Sequence, residues 1–217
     1  MENKYISLCN QTSDINEHLP TLCEYTQKCE SVFETGVRGV ISSWAFIWGL
    51  VNNNSSVKKM FMNDIVKCNI EEISKSCDEN KISLKYEWKN NLELDFEENE
   101  SYDLTFIDTW HIYGQLKREL EKFSKITNKY IIMHDTTVDA IQGETLRMWN
   151  GNLSSIQILS NQSGIPTNEI MVGLWPAVNQ FIESHPEWVI EKQFYNNNGL
   201  TIFKKVKDNI NLFNISK

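Results

Sequence analysis

The segment that most constrains the fold is residues 31–50, where a short apolar run leads through two glycines into a longer apolar run. Residues 31–34 are predicted to form a strand ending at Glu34, and residues 40–51 a helix. Gly36 and Gly39 between them allow the backbone to approach a ligand closely. The first turn of a helix also has N–H groups without partners in the helix. The segment therefore predicts a strand–turn–helix unit with a binding site at the turn.

The same alternation of short apolar runs and helical segments continues along the chain. It predicts strands over 58–66, 81–88, 102–108 and 129–135, and helices over 14–29, 69–78, 112–126 and 174–184. Strands that alternate with helices are typical of βαβ units with right-handed crossovers in a parallel sheet. The segments 188–195 and 199–206 flank an Asn-Asn-Asn-Gly turn and predict an antiparallel hairpin at one sheet edge. We predict one α/β domain.

Composition restricts the class of protein and its partners. The 217 residues are 41% hydrophobic and 23% charged, and the net charge is −8. The negative charge argues against nonspecific binding to nucleic acid, which needs basic surface. No apolar run approaches the ~20 residues of a membrane span, and we see no signal peptide. The five cysteines include no Cys-x-x-Cys pair, so we expect reduced thiols, no zinc site and a cytoplasmic location.

Four predicted strands end in acidic residues: Glu34, Asp64, Asp108 and Asp135. In an open parallel sheet these ends share one edge, which is where ligands bind. Each acid can instead cap the next helix or lie in a solvated turn. Asp64 lies one βαβ unit after Glu34, where a carboxylate can accept hydrogen bonds from a ribose diol. The set predicts a ligand site along this edge.

A second informative segment surrounds His111, three residues after Asp108 at the start of a predicted helix. A histidine there is a candidate general base, although it can also simply cap or pack against the helix. Asp108 and Asp135 together could bind a hard divalent cation, or could remain without one. Three aromatic residues either stack on a purine, line an acceptor pocket or belong to the core: Trp88, Trp110 and Tyr113.

The spacing Gly36-x-x-Gly39 lacks the third glycine of the dinucleotide-binding pattern Gly-x-Gly-x-x-Gly. The missing glycine argues against NAD, which requires close approach of the backbone to a pyrophosphate. A nucleoside cofactor without phosphates requires less. A nicotinamide-dependent oxidoreductase and a non-catalytic binding protein of the same fold remain the alternatives.

These residues together resemble the class I S-adenosylmethionine-dependent methyltransferases, on the motifs Glu34-x-Gly36-x-x-Gly39, Asp64, Asp108-x-x-His111 and His134-Asp135-Thr136. The nearest resemblance is to metal-assisted O-methyltransferases of small molecules and sugars, including macrocin and rhamnosyl types. It spans nearly the whole chain and implies a Rossmann-like sheet of seven mostly parallel strands, with a reversed final strand and helices on both faces. It divides the single domain 1–217 into a helical segment 1–30, a cofactor-binding half 31–150, and a C-terminal helix and hairpin within 151–217.

The resemblance also implies roles for individual residues. S-adenosylmethionine would be bound by Glu34, Gly36, Arg38, Gly39, Ser42, Asp64, Asn90 and Asp108, with Asn90 or Asn91 near the adenine. Mg²⁺ or Mn²⁺ would be held by Asp108, Asp135 and Thr136, where the family often has Asp or Asn at the position of Thr136. His111 would be the catalytic base together with Asp108, and the acceptor would be a hydroxyl of a sugar or another small molecule.

Overall fold

The computed structural model describes residues 1–149 and 151–206 of the chain. Seven strands form one sheet: β1 Ser31–Thr35, β2 Lys59–Asp64, β3 Ser83–Trp88, β4 Tyr102–Ile107, β5 Thr127–His134, β6 Trp188–Phe194 and β7 Leu200–Lys205. Their order is β3-β2-β1-β4-β5-β7-β6. The neighbours among β1 to β5 pair in parallel, whereas β7 runs antiparallel to both β5 and β6.

The helices of the described residues pack around this sheet. They are α1 Glu2–Asn10, α2 Leu19–Thr26, α3 Ile41–Val51, α4 Glu71–Glu79, α5 Tyr113–Phe123, α6 Glu144–Met148, α7 Leu153–Ser163, α8 Thr167–Met171 and α9 Trp175–Ser184. Short 3-10 helices lie at Asn16–His18 and Asn91–Glu93. No helix in the described ranges is both long and apolar enough to span a bilayer.

The predicted fold is confirmed: a mostly parallel seven-stranded sheet with a reversed final strand and a C-terminal hairpin. Each predicted strand lies within two residues of the observed one at either end. The single predicted helix over 14–29 is instead a 3-10 turn followed by the shorter α2, whose N-cap is His18. Four helices were not predicted: α1, α6, α7 and α8.

Alternating side chains of the central strands fill two apolar cores, one on each face of the sheet. Val32 of β1 packs toward α2 and α3, while its neighbour Phe33 packs toward α5 and α9. Both side chains are 0% exposed. Because β1 and β4 are covered on both faces, consecutive side chains of each strand are buried, and apolar residues stand next to each other in the sequence, as at Val32-Phe33 and Phe106-Ile107.

The direction of the chain across the sheet reverses between β1 and β4. From β1 the chain proceeds outward through β2 and β3, and then returns to place β4 on the other side of β1. Thr35 at the end of β1 lies opposite Ile107 at the end of β4, and Ile107 lies opposite Met133 of β5. The residues that follow these strands therefore meet at one crevice, which is where open α/β sheets bind ligands.

Candidate functional site

The turn after β1 has an unusual backbone. Gly36, Arg38 and Val40 have φ values of +89°, +39° and +58°. A Cβ atom on Gly36 would lie 1.8 Å from the carbonyl oxygen of Asp108, so only glycine allows this turn to cross the end of β4. A Cβ on Gly39 would meet no atom closer than 3.9 Å, so the fold does not require glycine there. Gly39 leaves the exposed surface of the turn open to close approach.

The side chain of Glu34 is buried beneath this turn and does not face an open site. Its side chain is 0% exposed and accepts hydrogen bonds from the hydroxyls of Ser42 and Ser43, the latter at 2.7 Å. Burial raises the pKa of Glu34 to about 8, against the two serine hydrogen bonds, which lower it. The predicted cofactor residues Glu34 and Ser42 are thus joined to each other, and they tie β1 to the start of α3.

Asp64, at the end of β2, lies beside the same turn. Its Oδ2 accepts a 2.8 Å hydrogen bond from the backbone N–H of Arg38, and its Oδ1 accepts one of 2.8 Å from Val66. The guanidinium of Arg38 pairs with Asp14. Asp64 therefore fixes the turn while keeping further acceptor capacity on both oxygens.

An exposed apolar surface borders Asp64. Ile65 is 68% exposed, Val66 is 65% exposed and Trp88 at the end of β3 is 61% exposed. The Trp88 indole N–H donates to the carbonyl of Ile65 at 2.9 Å, which holds the ring beside the loop. Asn90 lies two residues beyond Trp88, where its side chain accepts from Leu92 N–H and caps a 3-10 turn.

The ends of β4 and β5 bring together the acid–histidine cluster, defined as Asp108, His111, His134 and Asp135. His111 bridges the two acids, with Nε2 3.0 Å from Asp108 Oδ1 and Nδ1 3.1 Å from Asp135 Oδ2. His134 Nδ1 lies 3.5 Å from an oxygen of each acid, and its Nε2 lies 3.2 Å from the carbonyl of Asn197. The predicted proximity of the strand-end residues Asp108 and Asp135 is present in the structure.

The charges in this cluster stabilise one another. Burial alone would lower the pKa of His111, but the hydrogen bond to Asp108 and the carboxylates of Asp135 and Glu144 raise it to about 9. Burial likewise opposes charge on His134, yet Asp108 and Asp135 raise its pKa to about 10. Burial disfavours ionisation of Asp108, but the two imidazoles hold its pKa well below the usual range. The two carboxylates therefore favour the protonated form of both imidazoles.

The cluster fits a divalent cation. Asp108, His111 and Asp135 each offer a ligand atom, and these atoms lie within 4.8 Å of one another. Asp135 Oδ1 is buried and has no hydrogen-bond partner among the described residues. Asp135 also has φ +58°, a backbone conformation that costs about 1 kcal/mol and is often found at functional sites. Carboxylate oxygens are the ligands that Mg²⁺ and related ions prefer.

The hydroxyl of Thr136, a predicted ligand of the cation, is engaged by a neighbouring strand. Thr136 is 0% exposed, and its hydroxyl accepts a 2.9 Å hydrogen bond from Thr201 of β7. This contact places the hydroxyl against the neighbouring strand. His111 offers a ligand atom beside those of Asp108 and Asp135.

Two further acids approach His111 and were not identified from the sequence. Asp139 is fully buried, with Oδ2 3.5 Å from His111 Nδ1, and Arg147 binds both of its oxygens at 2.6 and 3.0 Å. Glu144 Oε2 also lies 3.5 Å from His111 Nδ1. The backbone N–H of Glu144 donates to the His111 carbonyl at 2.9 Å, which fixes α6 over the cluster. The one local signal for Asp139 in the sequence is its spacing from Asp135, Asp135-x-x-x-Asp139.

The two aromatic residues near His111, Trp110 and Tyr113, each donate a side-chain hydrogen bond. The indole N–H of Trp110 donates to Thr145 of α6 at 2.8 Å, so this ring lies beside the cluster. The hydroxyl of Tyr113 donates to Gln180 of α9 at 2.6 Å. Trp110 is therefore better placed than Tyr113 to line an acceptor pocket.

Solved methyltransferases share this fold. The O-methyltransferase TomG from Streptomyces achromogenes, solved with S-adenosylmethionine, is 12% identical with a TM-score of 0.55, over 91% of this chain and 82% of that chain. An O-methyltransferase from Bacillus cereus, solved with S-adenosylhomocysteine, is 16% identical with a TM-score of 0.53, over 91% and 83%. The S-adenosylhomocysteine-bound methyltransferase PaMTH1 from Podospora anserina is 10% identical with a TM-score of 0.52, over 91% and 80%.

No protein-family model and no curated protein matches the sequence. At such low identities the structural likeness shows a shared Rossmann-like methyltransferase fold.

Proposed function

We propose that this chain is an S-adenosylmethionine-dependent methyltransferase that acts on a hydroxyl group of a small polar molecule, such as a sugar. The observation that best supports this proposal concerns the turn after β1, residues 36–40, which we call the glycine turn. The glycine turn and the acid–histidine cluster meet at one crevice. Gly36 packs directly on the Asp108 carbonyl, while the Asp108 side chain belongs to the cluster. A methyl donor on the turn and an acceptor at the cluster would therefore be adjacent.

The crevice offers a suitable contact for each part of the cofactor. Gly39 leaves room for the methionine portion, and the first turn of α3 has N–H groups with no side-chain cap. Asp64 retains lone pairs for ribose hydroxyls, and the exposed side chains of Ile65, Val66 and Trp88 provide an apolar surface for adenine. The S-adenosylmethionine and S-adenosylhomocysteine in the solved neighbours of this fold support the same cofactor.

Asp108, His111 and Asp135 would hold a divalent cation, with Mg²⁺ or Mn²⁺ preferred by the carboxylates. A bound cation supplies acidity to the acceptor hydroxyl and a fixed orientation for it. Glu144 adds negative charge beside His111, which favours a cation at this position, whereas Asp139 is already paired with Arg147. The chain's main task is then alignment of the acceptor oxygen with the methyl group and exclusion of water.

His111 is the candidate base, but only in its neutral form. The carboxylates of Asp108 and Asp135 lie against its two nitrogens and raise its pKa to about 9, which favours the protonated form. A cation bound to the same two carboxylates would neutralise the charge that favours this form. His111 could then accept the hydroxyl proton at a ring nitrogen or remain as a ligand.

The acceptor is inferred from charge and surroundings. A net charge of −8 repels polyanions at long range, which disfavours DNA and RNA. Trp110 beside the cluster offers an aromatic face, which suits the apolar face of a sugar ring as well as a phenol. A small hydroxylated acceptor satisfies both conditions.

Calorimetry with S-adenosylmethionine, S-adenosylhomocysteine and NAD tests the cofactor directly. We expect binding of the first two and none of NAD. A transfer assay with labelled S-adenosylmethionine should then be run on sugars, nucleotide sugars, phenols and RNA, with and without chelator. Methylation of RNA alone would refute the proposal that the acceptor is a small hydroxylated molecule. If neither S-adenosylmethionine nor S-adenosylhomocysteine binds, the proposed methyltransferase activity is refuted.

A further inference from the structure

A buried polar network lies beneath the candidate site, and its centre is Glu119 of α5. The side chain of Glu119 is 0% exposed. Its Oε1 accepts hydrogen bonds from three side chains: Thr109 Oγ1 at 2.6 Å, Asn91 Nδ2 at 2.5 Å and Gln115 Nε2 at 2.8 Å. Gln115 also donates to Asn91 Oδ1 at 3.0 Å. One carboxylate oxygen thus connects the loop after β4, the loop after β3 and helix α5 through hydrogen bonds.

The network continues to the ends of two further strands. Asn91 Nδ2 donates to Thr35 Oγ1 at 3.0 Å, and the Thr35 hydroxyl donates to Asn63 Oδ1 at 2.9 Å. Asn63 Nδ2 donates to the carbonyls of Glu87 and Lys89, at 3.0 and 2.8 Å. The chain of hydrogen bonds therefore runs under the whole crevice between the β3 and β4 ends.

Thr109 connects the network to the proposed cation site. Thr109 lies between Asp108 and His111, the residues proposed to hold the cation. On the other side, Asn91 follows Asn90 in the loop near the proposed adenine surface. A buried carboxylate is unfavourable unless its hydrogen bonds compensate, so its presence here calls for a reason beyond filling the core.

We propose that Glu119 is a positioning residue that holds the cation-binding loop, residues 108–111, and the loop after β3, residues 89–94, in fixed register. The two halves of the crevice are then formed by one shared acceptor. This inference rests on the proposed function for its effect on turnover. Its effect on loop order and on cation affinity does not depend on the reaction.

The second oxygen of Glu119 does not take part in this anchoring. Oε2 has no hydrogen-bond partner among the described residues, and Glu119 lines a small cavity with Thr109, His111 and His134. Burial raises the pKa of Glu119, although the donors Thr109, Asn91 and Gln115 oppose that rise. In Glu119→Gln, the amide oxygen can therefore take the position of Oε1 and keep its three hydrogen bonds. The NH2 group then takes the position of Oε2, which has no partner.

The chain offers a matched control for loss of a buried hydrogen bond. Thr105 of β4 and Thr127 of β5 share a 2.6 Å hydrogen bond between 0% and 1% exposed side chains. This pair lies further from the crevice along β4. Thr105→Val should reduce stability without altering either loop.

Hydrogen–deuterium exchange of the free protein tests the anchoring. In Glu119→Leu, amides of residues 89–94 and 108–113 should exchange at least ~10-fold faster, because their opening no longer breaks the shared hydrogen bonds. Mn²⁺ affinity, measured by calorimetry without cofactor, should fall ~10–100-fold, as for other residues that orient metal ligands. Thr105→Val should change neither. Unchanged exchange and Mn²⁺ affinity in Glu119→Leu would overturn the proposal.

Two milder variants keep the test valid if Glu119→Leu does not fold. Glu119→Gln retains the acceptor and should stay within ~2-fold of wild type in both measurements. Thr109→Val removes one donor and should loosen residues 108–113 but not 89–94. Equal behaviour of the two loops in Thr109→Val would contradict the assigned connections.

Turnover separates positioning from stability. If the wild type transfers methyl groups, Thr109→Val should lower kcat ~10-fold or more with little change in the KM for S-adenosylmethionine, because misplacement affects the reacting geometry. Unchanged kcat in a folded Thr109→Val would refute the link to catalysis. If the wild type transfers none, the proposed function fails, while exchange and Mn²⁺ affinity still decide the role of Glu119.

Discussion

The two sides of the crevice are built in different ways. On the β1 side, a single continuous segment from Glu34 to Ser43 makes the glycine turn, its buried support and the start of α3. On the β5 side, the cluster takes His111 from the loop after β4 and Asp135 from just beyond β5, and Glu144 of α6 approaches it. A local segment can be recognised in a sequence, whereas a set gathered from distant positions requires the fold.

The two sides also differ in what holds them together. Backbone geometry and hydrogen bonds to the Glu34 and Asp64 carboxyl groups maintain the glycine turn, so its shape depends on φ values and on the absence of a Cβ atom. Opposite charges maintain the cluster, since two imidazoles lie among carboxylates that favour their protonated form. We therefore expect substitutions at the sterically constrained position of the turn, Gly36, to affect folding, and substitutions in the cluster to affect cation binding and turnover.

The largest expected effect is on the cluster side. Asp135→Asn removes a proposed cation ligand and should lower turnover at least ~100-fold, because the acceptor hydroxyl is no longer held in place. Chelator should reduce the wild type similarly, with recovery on adding Mg²⁺ or Mn²⁺. Steady-state kinetics and Mn²⁺ calorimetry measure both.

Thr136→Val is the matched control for Asp135→Asn. It breaks the hydrogen bond between Thr136 and Thr201, which should cost about 1 kcal/mol of stability. Mn²⁺ affinity should stay within ~2-fold, because the hydroxyl faces β7. A large loss of Mn²⁺ affinity would instead restore Thr136 as a ligand, as the family resemblance implied.

The next effect separates the two glycines of the turn. Gly36→Ala forces a Cβ atom to 1.8 Å from the Asp108 carbonyl and should destabilise the protein by more than ~3 kcal/mol, measured by denaturant unfolding. Gly39→Ala meets no protein atom closer than 3.9 Å and should fold normally while binding S-adenosylhomocysteine more weakly. Equal stability losses in both variants would show that the turn acts as one structural unit, with no opening for a ligand.

Local patterns account for what could be predicted. The buried strands β1, β2, β4 and β5 were located because their apolar residues are followed by polar residues or glycine, and the strands of the C-terminal hairpin were located from the Asn-Asn-Asn-Gly turn between them. The helices α6 and α8 have five residues each, which is too short for a helical period to be recognised. Helix α1 has no buried residue, so no apolar stripe marked it.

The site was predicted unevenly for the same reason. Asp108 and Asp135 could be paired because neighbouring parallel strands end at one edge, and the structure places both beside His111. Nothing local indicated that Glu34 would be covered by Ser42 and Ser43, since the periodicity of a helix does not show which side chains meet a strand end. The network around Glu119 joins residues far apart in the chain and leaves no pattern in any one segment.

The last expected effect is a pH dependence of stability on the β1 side. The pKa of Glu34 is about 8 in the folded protein, above the value of 4.5 for an unburied carboxyl. Between these pH values the folded state binds a proton that the unfolded state has released, so stability falls as pH rises toward 8. From pH 6 to 9 the loss from Glu34 alone should be about 3 kcal/mol. In Glu34→Gln this contribution disappears, while the losses from His111 and His134 remain common to both proteins. Thermal unfolding at the two pH values measures the difference. An equal loss in both proteins would mean that Glu34 is already ionised at pH 6, with the hydrogen bonds from Ser42 and Ser43 outweighing its burial.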